Sequence, residues 1–310
     1  MMFSDQIRRL QTNIQSVIVG KQEVIDLSIV ALLSRGHLLI EDVPGVGKTT
    51  LARSIAKSLD CSFQRIQCTP DLLPSDILGV NIYNQQSRLF EFREGPVFAN
   101  IVLTDEINRA TPRTQSSLLE AMSEFQVTID RTTYPLPDPF LVIATQNPVE
   151  YEGTFPLPES QLDRFALSIN IGKVSIEEER QIVLSQRIRH PIEDIQPQLT
   201  AAELIDIQNH VKDVRMDNQI LDYLLTIVNA TRESDLLKLG ASPRGSLILY
   251  RTAQALALIR GRDYCIPDDV KHLAIPVLAH RMPVKPHVRF SGISAAEIIQ
   301  DILNRIAIPL

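Results

Sequence analysis

The sequence predicts an α/β fold, a doubly wound parallel five-stranded sheet followed by an all-helical C-terminal domain. Three observations predict it. Short apolar runs alternate with helical stretches up to Gly172, a glycine-rich turn joins the first of these runs to a helix, and beyond Gly172 the strand-like text gives way to capping boxes.

Residues 1–36 read as two helices. The second carries Val24, Ile25, Leu27, Ile29, Val30, Leu32 and Leu33 nearly all round, as a helix buried against a sheet does. His37 to Glu41 is an apolar run bounded by Gly36 and by the turn residues Asp42, Pro44 and Gly45, which marks a buried parallel strand entering a loop. From Lys48 to Leu59 the apolar residues Leu51, Ile55 and Leu59 recur four apart, so strand, loop and helix follow in order. Further strands are predicted at 63–67, 101–105, 140–145 and 167–171, with helical stretches such as 112–124 between them. Two insertions, 79–96 and 126–139, alternate in polarity as hairpins do. Ser175 with Glu178, Thr200 with Glu203 and Ser294 with Glu297 have the spacing of capping boxes. Pro191 and Pro197 mark a linker, dividing the chain into residues 1–190 and a helical domain over 195–310.

A chain of 310 residues exceeds what one hydrophobic core usually supports, which sets an expectation of about two domains. Its 44% hydrophobic and 22% charged residues are ordinary for a globular protein. A net charge of -6 argues against a protein whose main work is neutralising nucleic-acid phosphates. Cys61, Cys68 and Cys265 form no C-x-x-C pair, so neither a disulfide framework nor a zinc ribbon is encoded, and a reducing cytoplasm is the expected location. No segment approaches eighteen uncharged apolar residues, and the N-terminus lacks the basic and apolar regions of a secretion signal, so no membrane insertion is expected. His37, His190, His210, His272, His280 and His287 are scattered without ligand spacing and read as core or surface histidines.

The chemistry-bearing text begins at Asp42-Val43-Pro44-Gly45-Val46-Gly47-Lys48-Thr49-Thr50, which ends a strand and opens a helix, as a P-loop must. Gly45 and Gly47 let backbone N–H groups close around phosphate oxygens, Lys48 reaches the outer phosphates, and Thr49 can ligate Mg²⁺. Asp42 stands where the motif usually has its first glycine. The apolar strand Ile101 to Thr104 runs into Asp105 and Glu106, where Asp105 would hold Mg²⁺ through water and Glu106 would polarise the attacking water. The strand ending at Thr145 leads into Gln146-Asn147-Pro148, which puts Asn147 at a carboxyl end, where open α/β sheets bind ligands. Asn147 could orient the lytic water there.

In this order, EDVPGVGKT (41–49), TDEINRATPRTQSSLLEAMSE (104–124), ATQNPVEYEGTFPLPESQLDRF (144–165) and ASPRG (241–245) resemble the AAA+ ATPases, and within them the MoxR family. The resemblance spans nearly the whole chain. It implies that Asn147 is a sensor residue, that Arg164 is an arginine finger offered to a neighbouring subunit, and that Arg244 is a second sensor in the helical lid. It also implies an ATP site between the P-loop domain and the lid, with Arg244 approaching from the lid. Val19 and Gly20, beside Lys21, join the nucleotide-binding set. The two hairpins correspond to the helix 2 insert and the pre-sensor hairpin of the clade that includes magnesium chelatase motors and MCM helicases. Arg109, Arg113 and Arg131, near the Asp-Glu strand or the second hairpin, are rival finger candidates.

The reading that follows is an ATP- and Mg²⁺-dependent ring, a homo-oligomer and by resemblance a hexamer. It would remodel or mature a protein client, insert metals or cofactors, and work with partners containing von Willebrand A type domains. A nucleic-acid motor of the MCM type is the alternative, against which the missing basic tract counts. A small-molecule kinase would need an acceptor pocket, whereas Glu106 and Asn147 suit water. GTPase chemistry lacks an N-K-x-D. A nucleotide-gated scaffold would normally have lost Lys48, Asp105 or Glu106.

Overall fold

The computed structural model describes residues 2–147, 153–187 and 189–309. α1 (Met2–Gln15) turns Ile7, Leu10 and Ile14 into the core, and α2 (Gln22–Leu33) is buried on nearly every side. β1 (Leu38–Glu41) leads through the glycine turn into α3 (Lys48–Ser58). β2 (Phe63–Gln67) and the short α4 (Pro74–Leu78) precede the first insertion, the antiparallel pair β3 (Gly79–Asn84) and β4 (Leu89–Glu94). The wholly buried β5 (Ile101–Asp105) is followed by α5 (Pro112–Glu124), whose first turn is capped by the Thr111 side chain accepting from Thr114 N. The second hairpin, β6 (Gln126–Ile129) and β7 (Thr132–Pro135), comes next, then β8 (Leu141–Gln146), α6 (Glu159–Leu162) and β9 (Leu167–Ile169).

The five core strands are parallel and ordered β2-β5-β8-β1-β9. Glu41 therefore pairs with Gln146, and Gln67 with Asp105, so these four side chains share the carboxyl edge of the sheet. β9 is shorter than predicted. It is an edge strand with three rungs against β1, and Gly172, at φ 71°, turns the chain away just beyond it.

The two hairpins touch each other. Phe92 of β4 stacks on Tyr134 of β7 with ring centroids 4.1 Å apart, and Asn81 Nδ2 donates to Asp130 Oδ2 at 2.8 Å. At the far end of the first hairpin Tyr83 faces Phe90 across the strands, and both are exposed.

The remaining helices are α7 (Ile176–Ser185), α8 (Ala201–Val211), α9 (Asn218–Glu233), α10 (Pro243–Ile259), α11 (Pro267–Leu278), α12 (Pro286–Phe290) and α13 (Ala295–Arg305). All three predicted capping boxes form, at Ser175, Thr200 and Ser294. The apolar core does not break where the linker was predicted. One cluster of buried side chains runs from Ile25 and Val30 of α2 and Ile40 of β1 to Leu249 of α10 and Leu273 of α11. α10 packs on α2 and α11 on β9, and Gln208 Nε2 of α8 donates to Leu32 O at 2.7 Å. α2 is thus apolar all round because it is covered by the sheet side and by the C-terminal helices at once.

Candidate active site

The turn after β1 is built as a phosphate cradle. Gly45 and Gly47 adopt φ of 88° and 96°, which only glycine takes without strain, and a Cβ at either would point into open space. The first N–H groups of α3 have no intrahelical acceptor and lie at the positive end of its dipole. Asp42 does not need glycine's freedom. Its φ lies outside the left-handed region, and its carboxylate accepts from Val43 N at 2.8 Å and Gly172 N at 2.7 Å, tying the loop to the chain leaving β9. Lys48 Nζ donates to Asp42 O at 2.6 Å. Burial lowers the Lys48 pKa, and the carboxylates of Asp105, Asp42 and Glu106 oppose that shift.

Asp105 is fixed from two sides. Thr145 Oγ1 donates to its Oδ1 at 2.9 Å, and Arg65 Nε to its Oδ2 at 2.8 Å. The same threonine oxygen accepts from Glu106 N at 3.0 Å. Glu106 takes a left-handed φ of 55°, and its Oε2 accepts from Gln67 Nε2 and Arg109 Nη1, each at 3.1 Å. Pro44, Gly45, Gly47, Lys48, Thr49, Thr50, Asp105, Glu106 and Asn147 line one cavity of about 330 Å³, so the structure gathers these predicted residues. Asn147 is buried there, while Pro148, the next residue of the predicted turn, lies outside the described residues. Arg65, Gln67 and Thr145 line it too and were missed. Arg65 and Gln67 sit two apart on β2, on one face of a strand beside the Asp-Glu strand, and that spacing was the available signal.

The P-loop also borders a second, more apolar cleft of about 670 Å³, with Ile18, Val19, Val24 and Val46 on one side and Ile182 of α7 on another. Pro44, Gly45, Gly47 and Thr50 line both cavities. Lys21 Nζ closes one end by donating to Lys173 O at 2.6 Å. Gly20 does not line the cleft but turns the chain beside it, at φ 73°. The cleft is walled by the α1–α2 turn and by residues 171–190, and nothing from 195–310, the predicted lid, lines it.

Arg164 and Arg244 lie elsewhere. Both line a third cavity of about 230 Å³ together with Ser123, Arg251 and His37, and neither lines the two beside the P-loop. Arg164 Nη1 donates to Leu119 O at 2.5 Å and to Ser123 Oγ at 2.7 Å. Arg244 thus does not approach its own P-loop, because α10, which starts at Pro243, is held on α2 and the end of α6. Of the rival candidates, Arg109 is paired with Glu106 of its own chain. His37 accepts from Val142 N at Nδ1 and bonds Met122 O through Nε2, and burial pushes its pKa down to about 4. It is a satisfied, neutral core histidine, as read. Among the described residues no cluster of His, Cys, Asp and Glu has the makings of a further metal site.

A parallel sheet with a P-loop after its first strand, an Asp-Glu pair at the end of a neighbouring strand and a helical C-terminal part define an AAA+ type ATPase. Residues 37–167 match the ATPase family associated with various cellular activities, and residues 229–302 match the AAA lid domain. The chain is 51% identical to the uncharacterized protein YeaC of Bacillus subtilis, over 96% of this chain and 93% of that one. It is 41% identical to the chaperone MoxR1 of Mycobacterium tuberculosis, over 98% of this chain and 82% of that protein. A crystal structure from Cytophaga hutchinsonii, provisionally assigned as an ATPase, superposes with a TM-score of 0.92 at 39% identity, covering 100% of this chain and 96% of the other. The chain belongs to the MoxR family of AAA+ ATPases, and its chemistry is ATP hydrolysis.

Proposed function

We propose that the chain hydrolyses ATP at junctions between subunits of a homo-oligomeric ring, a hexamer by family resemblance, and uses the turnover to remodel or mature a protein client. The separation of Arg164 and Arg244 from their own P-loop carries this reading. Two arginines opening into one cavity away from the phosphate cradle have their natural use on a nucleotide held by the next subunit. The naming of the Mycobacterium tuberculosis relative as a chaperone supports the client half of the proposal. A von Willebrand A type partner fits the same family.

In the proposed mechanism the triphosphate lies along the P-loop with its base in the apolar cleft beside Val19. Lys48 and the N-terminus of α3 bind the outer phosphates. Mg²⁺ would be held by Thr49 and Asp105 and would neutralise charge on the phosphates. Thr145 and Arg65 keep Asp105 oriented toward that position. Glu106 takes the proton from water, and since Gln67 and Arg109 both donate to Oε2, Oε1 is the oxygen available for it. Asn147, buried in the same cavity, orients that water. Arg164 and Arg244 of the adjacent subunit neutralise charge on the transferring group, an effect worth about 10³- to 10⁵-fold for an arginine finger.

The test is to mix Lys48→Ala subunits, which lack ATP binding but keep both arginines, with Arg164→Ala subunits, which bind ATP but lack the finger. Mixed oligomers should recover part of the activity that each variant lacks alone. The proposal is falsified if mixing restores nothing while subunit exchange is demonstrated independently.

A further inference from the structure

Arg281 ends the 3-10 turn after α11 and is 5% exposed, yet its guanidinium is saturated. Nη1 donates to Asp163 Oδ1 at 3.0 Å and to Asp163 O at 3.2 Å, Nη2 donates to Phe165 O and to Ala166 O, the latter at 3.1 Å, and Nε donates to Val277 O at 2.5 Å. A second group from the C-terminal helices reaches the same carboxylate. Ser242 Oγ, the N-cap of α10, lies 3.3 Å from both Asp163 oxygens while accepting from Gly245 N at 3.2 Å. Asp163 immediately precedes Arg164, and Ser242 stands two residues before Arg244. One carboxylate therefore joins the two chain segments that carry the paired arginines.

We propose that Asp163, clamped by Arg281 and Ser242, is a positioning residue that fixes Arg164 and Arg244 relative to each other for use on the neighbouring subunit's nucleotide. This rests on the intersubunit reading above. Stability alone does not account for the arrangement, because an ion pair drawn out of water, here a buried Arg281 and a half-buried Asp163, is often no more stabilising than an apolar pair of the same volume. What an ionic clamp with five donor contacts supplies is a single geometry. Because Arg281 also holds the carbonyls of Phe165 and Ala166, the segment 163–166 and the end of α11 shift together, so displacement of the C-terminal helices is passed to both arginines.

The test exploits the asymmetry of mixed rings. In a mixture of Lys48→Ala and Arg164→Ala subunits, the working arginines all come from the Lys48→Ala chains. Asp163→Asn placed in those chains should cut the recovered kcat by about 10²-fold, the cost of a misplacement near 1 Å, and leave the KM for ATP little changed. Asp163→Asn placed instead in the Arg164→Ala chains, whose remaining Arg244 serves no working junction, should leave the recovered activity intact. Ser242→Ala, a milder change, should show the same one-sided loss at smaller size. Equal losses from both placements, or no loss from either, overturn the positioning role. If the parent mixture recovers nothing, the intersubunit reading fails first and takes this proposal with it.

Discussion

Glu106 occupies a left-handed backbone conformation at the end of a buried strand, a strained position held because its N–H reaches Thr145 and its carboxylate reaches Gln67 and Arg109. Glutamine keeps the size and loses the base, so Glu106→Gln should bind ATP while hydrolysis, followed by phosphate release, falls about 10²- to 10⁴-fold. An unchanged rate would move the base elsewhere. His37 offers a pH test. Burial holds its pKa near 4 against an ordinary value of 6.5, so the native state binds fewer protons than the unfolded one between those limits. Its contribution is complete above pH 6.5 and is lost as pH falls toward 4, by an amount of about 3 kcal/mol. In urea titrations, His37→Asn should be less stable than wild type at pH 8, with the gap narrowing by pH 5; a gap independent of pH would contradict the assignment. Lys48, Thr49, Asp105 and Glu106 were legible in the sequence because each sits at a fixed offset from a glycine turn or an apolar strand. Arg65, Gln67 and Thr145 were not, because their roles depend on which strands are neighbours, and the order β2-β5-β8-β1-β9 is not written locally.

The elements themselves were read well where one periodicity dominated, as in α2, β5 and the alternating hairpins, and less well where pairing sets the length, as in β9 with its single neighbour. The turn at Gly20 shows how closely one element fits another. A Cβ there would lie 1.7 Å from Glu178 Oε1, and Glu178 can swing aside only by giving up the bond its Oε2 accepts from Ser175 N in the capping box of α7. Gly20→Ala should therefore cost about 1–2 kcal/mol from its φ of 73°, and should also displace α7, whose Ile182 lines the apolar cleft. Calorimetry should show weaker ATP binding, with Glu178→Ala in the same chain restoring part of it. If Gly20→Ala binds ATP as tightly as wild type, α7 does not wall the nucleotide site.

Length suggested two domains, an ATPase part and a lid part, and the two share one buried cluster, which passes from α2 and β1 into α10 and α11. A core shared in this way should couple the unfolding of the two parts. Leu249→Ala, at a fully buried position of α10, should cost about 2–5 kcal/mol, lowering the midpoint of a single transition seen equally by circular dichroism and by a probe on the β-sheet side. Two separated transitions would show independent units. The placement of Arg244 apart from the P-loop was beyond the sequence, since its position along the chain says nothing about which face it reaches, whereas the family resemblance already put Arg164 at a subunit boundary. That separation also has a genetic reading. If each working site takes its phosphate cradle from one chain and its arginines from another, activity in a mixed population follows adjacent pairs rather than single chains. Two alleles that each lack activity, Arg164→Ala and Lys48→Ala, should then complement each other when expressed in the same cell, because either chain supplies what the other's junction lacks.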